Sequence, residues 1–144
     1  MTPRSKRSVL RIVDANANRA LEGIRVCEDI ARFHLEAPRM FRRLRALRHA
    51  VAHALRQLPV GASELVGSRN SRHDVGRHAP ADRVASLERM LLINLQRTKE
   101  SLRTLEECAR LVAPTQTPQF QQLRFRTYEV ERDLLRSLAA LRHH

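Results

Sequence analysis

The feature that most limits what this chain can fold into is an internal repeat. Residues 16–32 and 94–110, offset by 78 positions, agree at Asn16/Asn94, Arg19/Arg97, Glu22/Glu100, Arg25/Arg103, Glu28/Glu106, Ala31/Ala109 and Arg32/Arg110. At an offset of 79 a second set follows: Phe41/Phe120, Leu44/Leu123, Arg45/Arg124, Val51/Val130 and Leu55/Leu134. Each matched segment carries an apolar period of three to four. Val13, Ala20, Ile24, Cys27 and Ala31 form one stripe, and Met40, Leu44, Leu47, Val51, Ala54 and Leu58 a second. Leu87, Leu91, Leu102, Leu105 and Ala109 form a third, and Phe120, Leu123, Val130, Leu134 and Leu141 a fourth. That spacing marks one face of an α-helix, and β-type alternation is absent. The pattern predicts an all-α fold of four long helices, built as two tandem helical hairpins over 8–58 and 83–142. A loop over 59–82 joins them. Each hairpin has an apolar face to bury, and burying one against the other makes a four-helix bundle with internal pseudo-two-fold symmetry.

Punctuation agrees with this division. Pro38 and Pro118 fall where the second and fourth helices should begin, a position that proline tolerates. Ser8 is the expected N-cap of the first helix. Three of the four glycines, Gly61, Gly67 and Gly76, lie in the joining loop. The 144 residues make one domain, 1–144, too short for a (β/α)₈ barrel. No apolar run approaches the length of a membrane span, and the basic start lacks the apolar core of a signal peptide, so a cytoplasmic protein is expected. Cys27 and Cys108 sit inside helical patterns and read as buried, reduced thiols.

Charge narrows the partners. Twenty-seven basic residues, all but Lys6 and Lys99 of them arginine, face 15 acidic ones, for a net charge of +12. Such an excess calls for anionic partners, and arginine's planar fork suits phosphate and carboxylate. Nucleic acid is disfavoured: only Phe33, Phe41, Phe120, Phe125 and Tyr128 are aromatic, which leaves no stacking platform. Phosphorylated small molecules are the better fit.

Three constellations stand out. Asn16 and Asn94 lie within apolar stripes, either to fix helix register or to read a ligand. The ladder Arg19, Glu22, Arg25, Glu28, Asp29, Arg32, with its copy from Arg97 to Arg110, reads by default as salt bridges on a solvated face. Arg19 falls at the edge of the stripe and Arg25 nearly opposite it, so the ladder cannot line one interior. The loop run Ser68-Arg69-Asn70-Ser71-Arg72-His73-Asp74-Val75-Gly76 combines arginines, hydroxyls and a carboxylate suited to phosphate, Mg²⁺ or a proton. His49 and His53 make a weak metal pair, and His143-His144 reads as a tail. No glycine-rich nucleotide loop is present. Outer-face polar identities fit a homo-oligomer or simply the trace of a duplication.

The segment from Asp14 to Phe33 resembles the opening signature of a small all-helical domain fused to the front of bacterial thiamin-phosphate synthases. Further similar segments follow in order: Leu47-Arg48-His49, Ser68-Arg69 with Asp74-Val75-Gly76, Asn94 to Glu107, and Leu123-Arg124-Phe125-Arg126 with Tyr128. The resemblance implies a hydroxymethylpyrimidine-phosphate kinase. Such an enzyme uses ATP and Mg²⁺ to convert 4-amino-5-hydroxymethyl-2-methylpyrimidine phosphate into the pyrophosphate in thiamin biosynthesis. On that expectation Arg19, Arg25, Arg48, Arg69, Arg97 and Arg103 contact phosphate, and Glu22 and Glu100 hold Mg²⁺. Asp14 or Asp74 accepts or steers the hydroxyl proton, and Asn16 or Asn18, with Asn94, contacts the pyrimidine. ATP would rest on arginines and helix N-termini. A separate thiamin-phosphate synthase is the expected protein partner. The alternative is a non-catalytic helical module that holds a phosphorylated metabolite or docks a protein of that pathway.

Overall fold

A computed structural model describes residues 1–142, with side chains to residue 140; the Leu141 stripe position and the terminal His143-His144 lie outside them. The described residues are helical without strands: α1 (Pro3–Phe33), α2 (Pro38–Arg56), α3 (Ala62–Gly67), α4 (Leu87–Val112) and α5 (Thr117–Arg142). The apolar stripes account for the packing. Ile24, Leu44, Leu47, Val51, Leu91, Leu102, Leu105, Phe120 and Leu134 are all but wholly buried, each such side chain contributing about 1.5–3 kcal/mol on leaving water. The pairing of α1 with α4 is the most extensive; α2 flanks α1, α5 flanks α4, and α2 meets α5. The small α3 rests on α1.

Element starts depart from expectation in three places. Ser8 is not a cap: α1 begins at Pro3, and the Thr2 hydroxyl accepts the Ser5 N–H at 3.0 Å. Residues 3–8 are exposed and polar, so the extra turns carry no apolar stripe to reveal them. Ser8 itself donates to the Arg4 carbonyl at 3.0 Å. The joining segment is not a plain loop, because it folds α3 and a 3₁₀ turn at Ser71–His73. It also runs on to Ser86, whose side chain accepts the Arg89 N–H at 3.0 Å and caps α4. Pro38 and Pro118 fall in the first turns of α2 and α5, as expected.

At Gly23 helices α1 and α4 approach closely. A methyl group there would lie 2.6 Å from the Thr98 hydroxyl oxygen and 3.1 Å from the Asn94 carbonyl oxygen. That hydroxyl is buried and donates to the Ala20 carbonyl at 3.4 Å, which limits its freedom to move aside. Alanine favours a helix interior over glycine by about 1 kcal/mol, but the overlap should outweigh it. Gly23→Ala is predicted to destabilise by about 1–3 kcal/mol in urea unfolding, with Gly23→Ala/Thr98→Ala recovering part of the loss. A Gly23→Ala protein more stable than wild type would show that the crossing has spare room.

The two cysteines differ in setting. Cys27 is wholly buried, its thiol donating towards the Leu91 carbonyl at 3.5 Å, and burial, with the neighbouring Glu28, pushes its pKa up to about 12. Cys108 is half-buried and shifted upward for the same first reason.

Candidate functional site

Packing of α3 against α1 brings the following turn back over the first helix. The chain leaves α3 at Ser68, whose hydroxyl donates to the Leu65 carbonyl at 2.6 Å, and the next residue is Arg69. Its Nε and Nη2 donate to the two carboxylate oxygens of Asp14 at 2.7 and 2.9 Å. Asp14 is only 8% exposed on α1, so this fork closes one wall of a cleft. The shared hydrogen bonds raise the Arg69 pKa further above its usual range. The cleft, of about 680 Å³, is lined by Arg11, Asp14, Asn16, Asn18, Arg19, Arg69, Ser71 and Asp74 among others. Asp74 accepts the Gly76 N–H at 2.8 Å, which shapes the turn that forms the rim.

A second cleft of about 420 Å³ opens between α1 and α4, lined by Asn16, Arg19, Arg97, Glu100, Ser101 and Thr104. Asn16 and Arg19 belong to both clefts. The Asn16 side chain is almost buried, and its Nδ2 donates to the Ile12 carbonyl at 2.9 Å. A carbonyl only accepts, so the amide nitrogen must face it and Oδ1 is left to receive a donor. Among the described residues Oδ1 has no hydrogen-bond partner, and Arg11, Arg19 and Arg97 have no ion-pair partner. Glu100 accepts from Gln96 at 3.1 Å. Three exposed guanidinium groups without an ion-pair partner are equipped to hold phosphate oxygens, while the Thr104 hydroxyl is taken by the Glu100 carbonyl at 3.3 Å.

Thus Asp14, Asn16, Asn18, Arg19, Arg69, Asp74, Arg97 and Glu100 come together, and the remaining candidates do not. Asn94 donates to the Met90 carbonyl at 2.8 Å, repeating the Asn16 geometry, but lines neither cleft. Glu22 is exposed and lines neither. Arg25 is exposed 3.9 Å from Glu28. Arg103 lies 3.5 Å from Glu106 and 3.4 Å from Glu107. Arg48 is bound to Glu28 through two hydrogen bonds, the one from Nη2 at 3.0 Å.

The ladder is therefore not uniformly solvated. Glu28 is completely buried and Glu106 4% exposed, each receiving an arginine from the neighbouring helix: Arg48 from α2, and Arg124 from α5 at 2.9 Å. Lys99 and Glu131 make a similar link between α4 and α5 at 2.9 Å, with the Lys99 ammonium over the Tyr128 ring. These interhelical pairs escape sequence reading. Their one visible trace is that Glu28 and Glu106 recur immediately after the stripe residues Cys27 and Leu105. The His53 ring bonds Gln57 at 3.0 Å, and no cluster of three or more metal-ligating side chains forms among the described residues.

Comparison with known proteins identifies the family. A sequence model of the ThiD2 family matches residues 11–133. The chain belongs to the ThiD2 family. A thiamine-phosphate synthase of Rhodopirellula baltica is 36% identical over 144 residues, covering 98% of this chain and 38% of that protein. The Synechocystis protein of the same description is 36% identical, with coverages of 95% and 39%. That of Gloeobacter violaceus is 34% identical, with 93% and 40%. The chain spans about two fifths of the length of these curated relatives. No solved structure matches it. Among the described residues, no helix is long and apolar enough to cross a membrane.

The ThiD2 match takes in every arginine of the two clefts, from Arg11 to Arg97. Within it the two repeats are not equivalent. Positions Asp14 and Asn18 correspond to Leu92 and Gln96 in the second copy, and Ser101 and Thr104 correspond to Gly23 and Val26 in the first. The first copy supplies Asp14 and Asn18, and the second supplies Ser101 and Thr104 beside Glu100.

Proposed function

We propose that this ThiD2-family chain transfers the γ-phosphoryl group of ATP to 4-amino-5-hydroxymethyl-2-methylpyrimidine phosphate, within thiamin biosynthesis. The observation that carries this reading is the convergence of unpaired Arg11, Arg19 and Arg97 on two adjoining clefts that share Asn16. Phosphoryl transfer is catalysed mainly by positioning and by neutralising charge on the moving group. Arg19, reaching both clefts, is placed to do that where donor and acceptor meet. The bond from the γ-phosphorus to its bridging oxygen breaks, ADP leaves, and a new bond forms to a phosphate oxygen of the acceptor.

That acceptor changes the roles expected of the carboxylates. Its hydroxymethyl oxygen is already esterified, and a phosphate monoester is largely dianionic at neutral pH because its second pKa is about 6. No hydroxyl proton needs removing, so neither Asp14 nor Asp74 is required as a base. Asp14 acts as a positioning residue that holds Arg69 over the cleft, and Asp74 shapes the rim. Asn16 Oδ1 can accept only, which suits the 4-amino group of the pyrimidine. Mg²⁺ is at home among one or two carboxylates and several phosphate oxygens; Glu100 is the residue here that would hold it, and the ion would neutralise charge on the phosphate chain.

The same proposal includes a duplicated hairpin origin for the fold. Ala20 and Thr98 are matched in the repeat and meet at the α1–α4 crossing, as an approximate two-fold axis there requires. A thiamine-phosphate synthase, the description the relatives carry, is the proposed partner and consumer of the pyrophosphate.

The purified chain, incubated with the pyrimidine monophosphate, ATP and Mg²⁺, should form the pyrimidine pyrophosphate and ADP in equal amounts, and chelation of Mg²⁺ should stop it. Folded protein that binds the monophosphate yet makes no pyrophosphate would reduce the reading to a non-catalytic binding module.

A further inference from the structure

The proposed kinase reading leaves open where the nucleotide lies, and no glycine-rich loop marks the place. We infer that the smaller cleft, between α1 and α4, is the seat of the nucleoside triphosphate's phosphate chain, and that the larger cleft takes the pyrimidine monophosphate. This assignment rests on the kinase reading for its ligands but on separate observations for its geometry.

The smaller cleft carries the built features of an anion seat. Arg19 and Arg97 both line it without a carboxylate partner among the described residues. Ser101 is 3% exposed and lines the same cleft, yet its hydroxyl makes no hydrogen bond among the described residues. A helical serine ordinarily satisfies itself on the carbonyl one turn back; this hydroxyl instead stays reachable from the cleft and is not among the buried polar atoms left without a partner. A phosphate oxygen arriving there would accept from it. Glu100 supplies the single carboxylate, the donor set expected where Mg²⁺ arrives already bound to phosphates.

The larger cleft is built for something else. Beside the unpaired Arg11, which suits a single phosphate, its Arg69 is committed to Asp14, and its asparagines Asn16 and Asn18 offer amide groups suited to a heterocycle edge. Arg19 and Asn16 stand at the junction. A phosphate chain lying along Arg97 and Ser101 would point its terminal group past Arg19 towards the acceptor. The repeat does not duplicate this hydroxyl: the first-copy counterpart of Ser101 is Gly23, filled by the helix crossing.

The test is calorimetric binding of MgATP and of inorganic tripolyphosphate, with the pyrimidine monophosphate titrated separately, to wild type, Arg97→Gln and Ser101→Val. Urea midpoints confirm that each variant folds. Loss of one charged hydrogen-bonding group should weaken MgATP and tripolyphosphate by about 10- to 100-fold in Arg97→Gln. Ser101→Val, which also fills the cleft, should do at least as much, and monophosphate affinity should stay within about threefold in both. Binding of tripolyphosphate alongside MgATP supports recognition of the phosphate chain; MgATP binding without it overturns that assignment. Unchanged MgATP affinity in both variants overturns the inference even where turnover is seen, and the kinase reading then survives without it. Nucleotide binding that depends on Arg97, in a chain that never forms pyrophosphate, upholds the seat and removes the kinase.

Discussion

Arg19→Ala is expected to lower kcat/KM for pyrophosphate formation by about 10²- to 10³-fold, the usual effect of deleting one donor aimed at transition-state charge. Arg19 is the only arginine that reaches both clefts, and it is bound to no carboxylate among the described residues. Its removal therefore leaves no buried charge stranded, and the unfolding free energy from urea titration should stay within about 0.5 kcal/mol of wild type. Arg19→Lys keeps the charge but loses the planar fork, so it should recover only part of the rate. A purely structural arginine would show the reverse pattern, with stability falling and the rate per folded molecule intact. Full activity in a folded Arg19→Ala protein would remove the junction from the mechanism.

The second large effect concerns stability. Arg48→Ala should destabilise the fold by about 3–5 kcal/mol, because it strands the wholly buried Glu28 carboxylate. Such a loss is a large share of what a domain of this size has in hand. Truncating Arg124, which serves Glu106 in the same way, should act in the same direction. The double variant Glu28→Gln/Arg48→Met removes both charges and should recover most of the loss, since a buried pair often contributes little beyond an apolar substitute. Urea unfolding at neutral pH reads all of these. A deficit below about 1 kcal/mol in Arg48→Ala would mean that Arg25, now 3.9 Å from Glu28, takes over the charge. Because Arg48 is committed to Glu28, any loss of catalysis in this variant should track the loss of folded protein.

What could be read from the sequence divides along physical lines. Helix faces were legible because burial imposes a period, and Pro38 and Pro118 marked helix starts because proline lacks the donor that a first turn does not need. The true start of α1 was hidden, since its first turns bury nothing. A six-residue helix such as α3 is too short to display a period at all. Asn16, Arg19, Arg69 and Arg97 could be singled out from residue type and position, whereas Asp14 came from the family resemblance. Their grouping depends on how α3 folds back, which joins Asp14 to Arg69 across 55 residues. The interhelical ion pairs show the limit most clearly. The repeat matches Arg124 with Arg45, yet the partner of Glu28 is Arg48, one turn further on. Periodicity assigns a residue to a face without choosing its neighbour.

The sealed thiol of Cys27 has a practical consequence. Alkylating reagents attack the thiolate, and this one lies behind α4 with a pKa of about 12. It can be modified only in molecules whose helices have separated, so its labelling rate clocks the rare opening of the whole assembly under native conditions. Cys108, half-buried on the same chain, provides the faster reference signal. One mass spectrum per time point would then measure ligand protection without any chromophore, in a protein that has no tryptophan to report it.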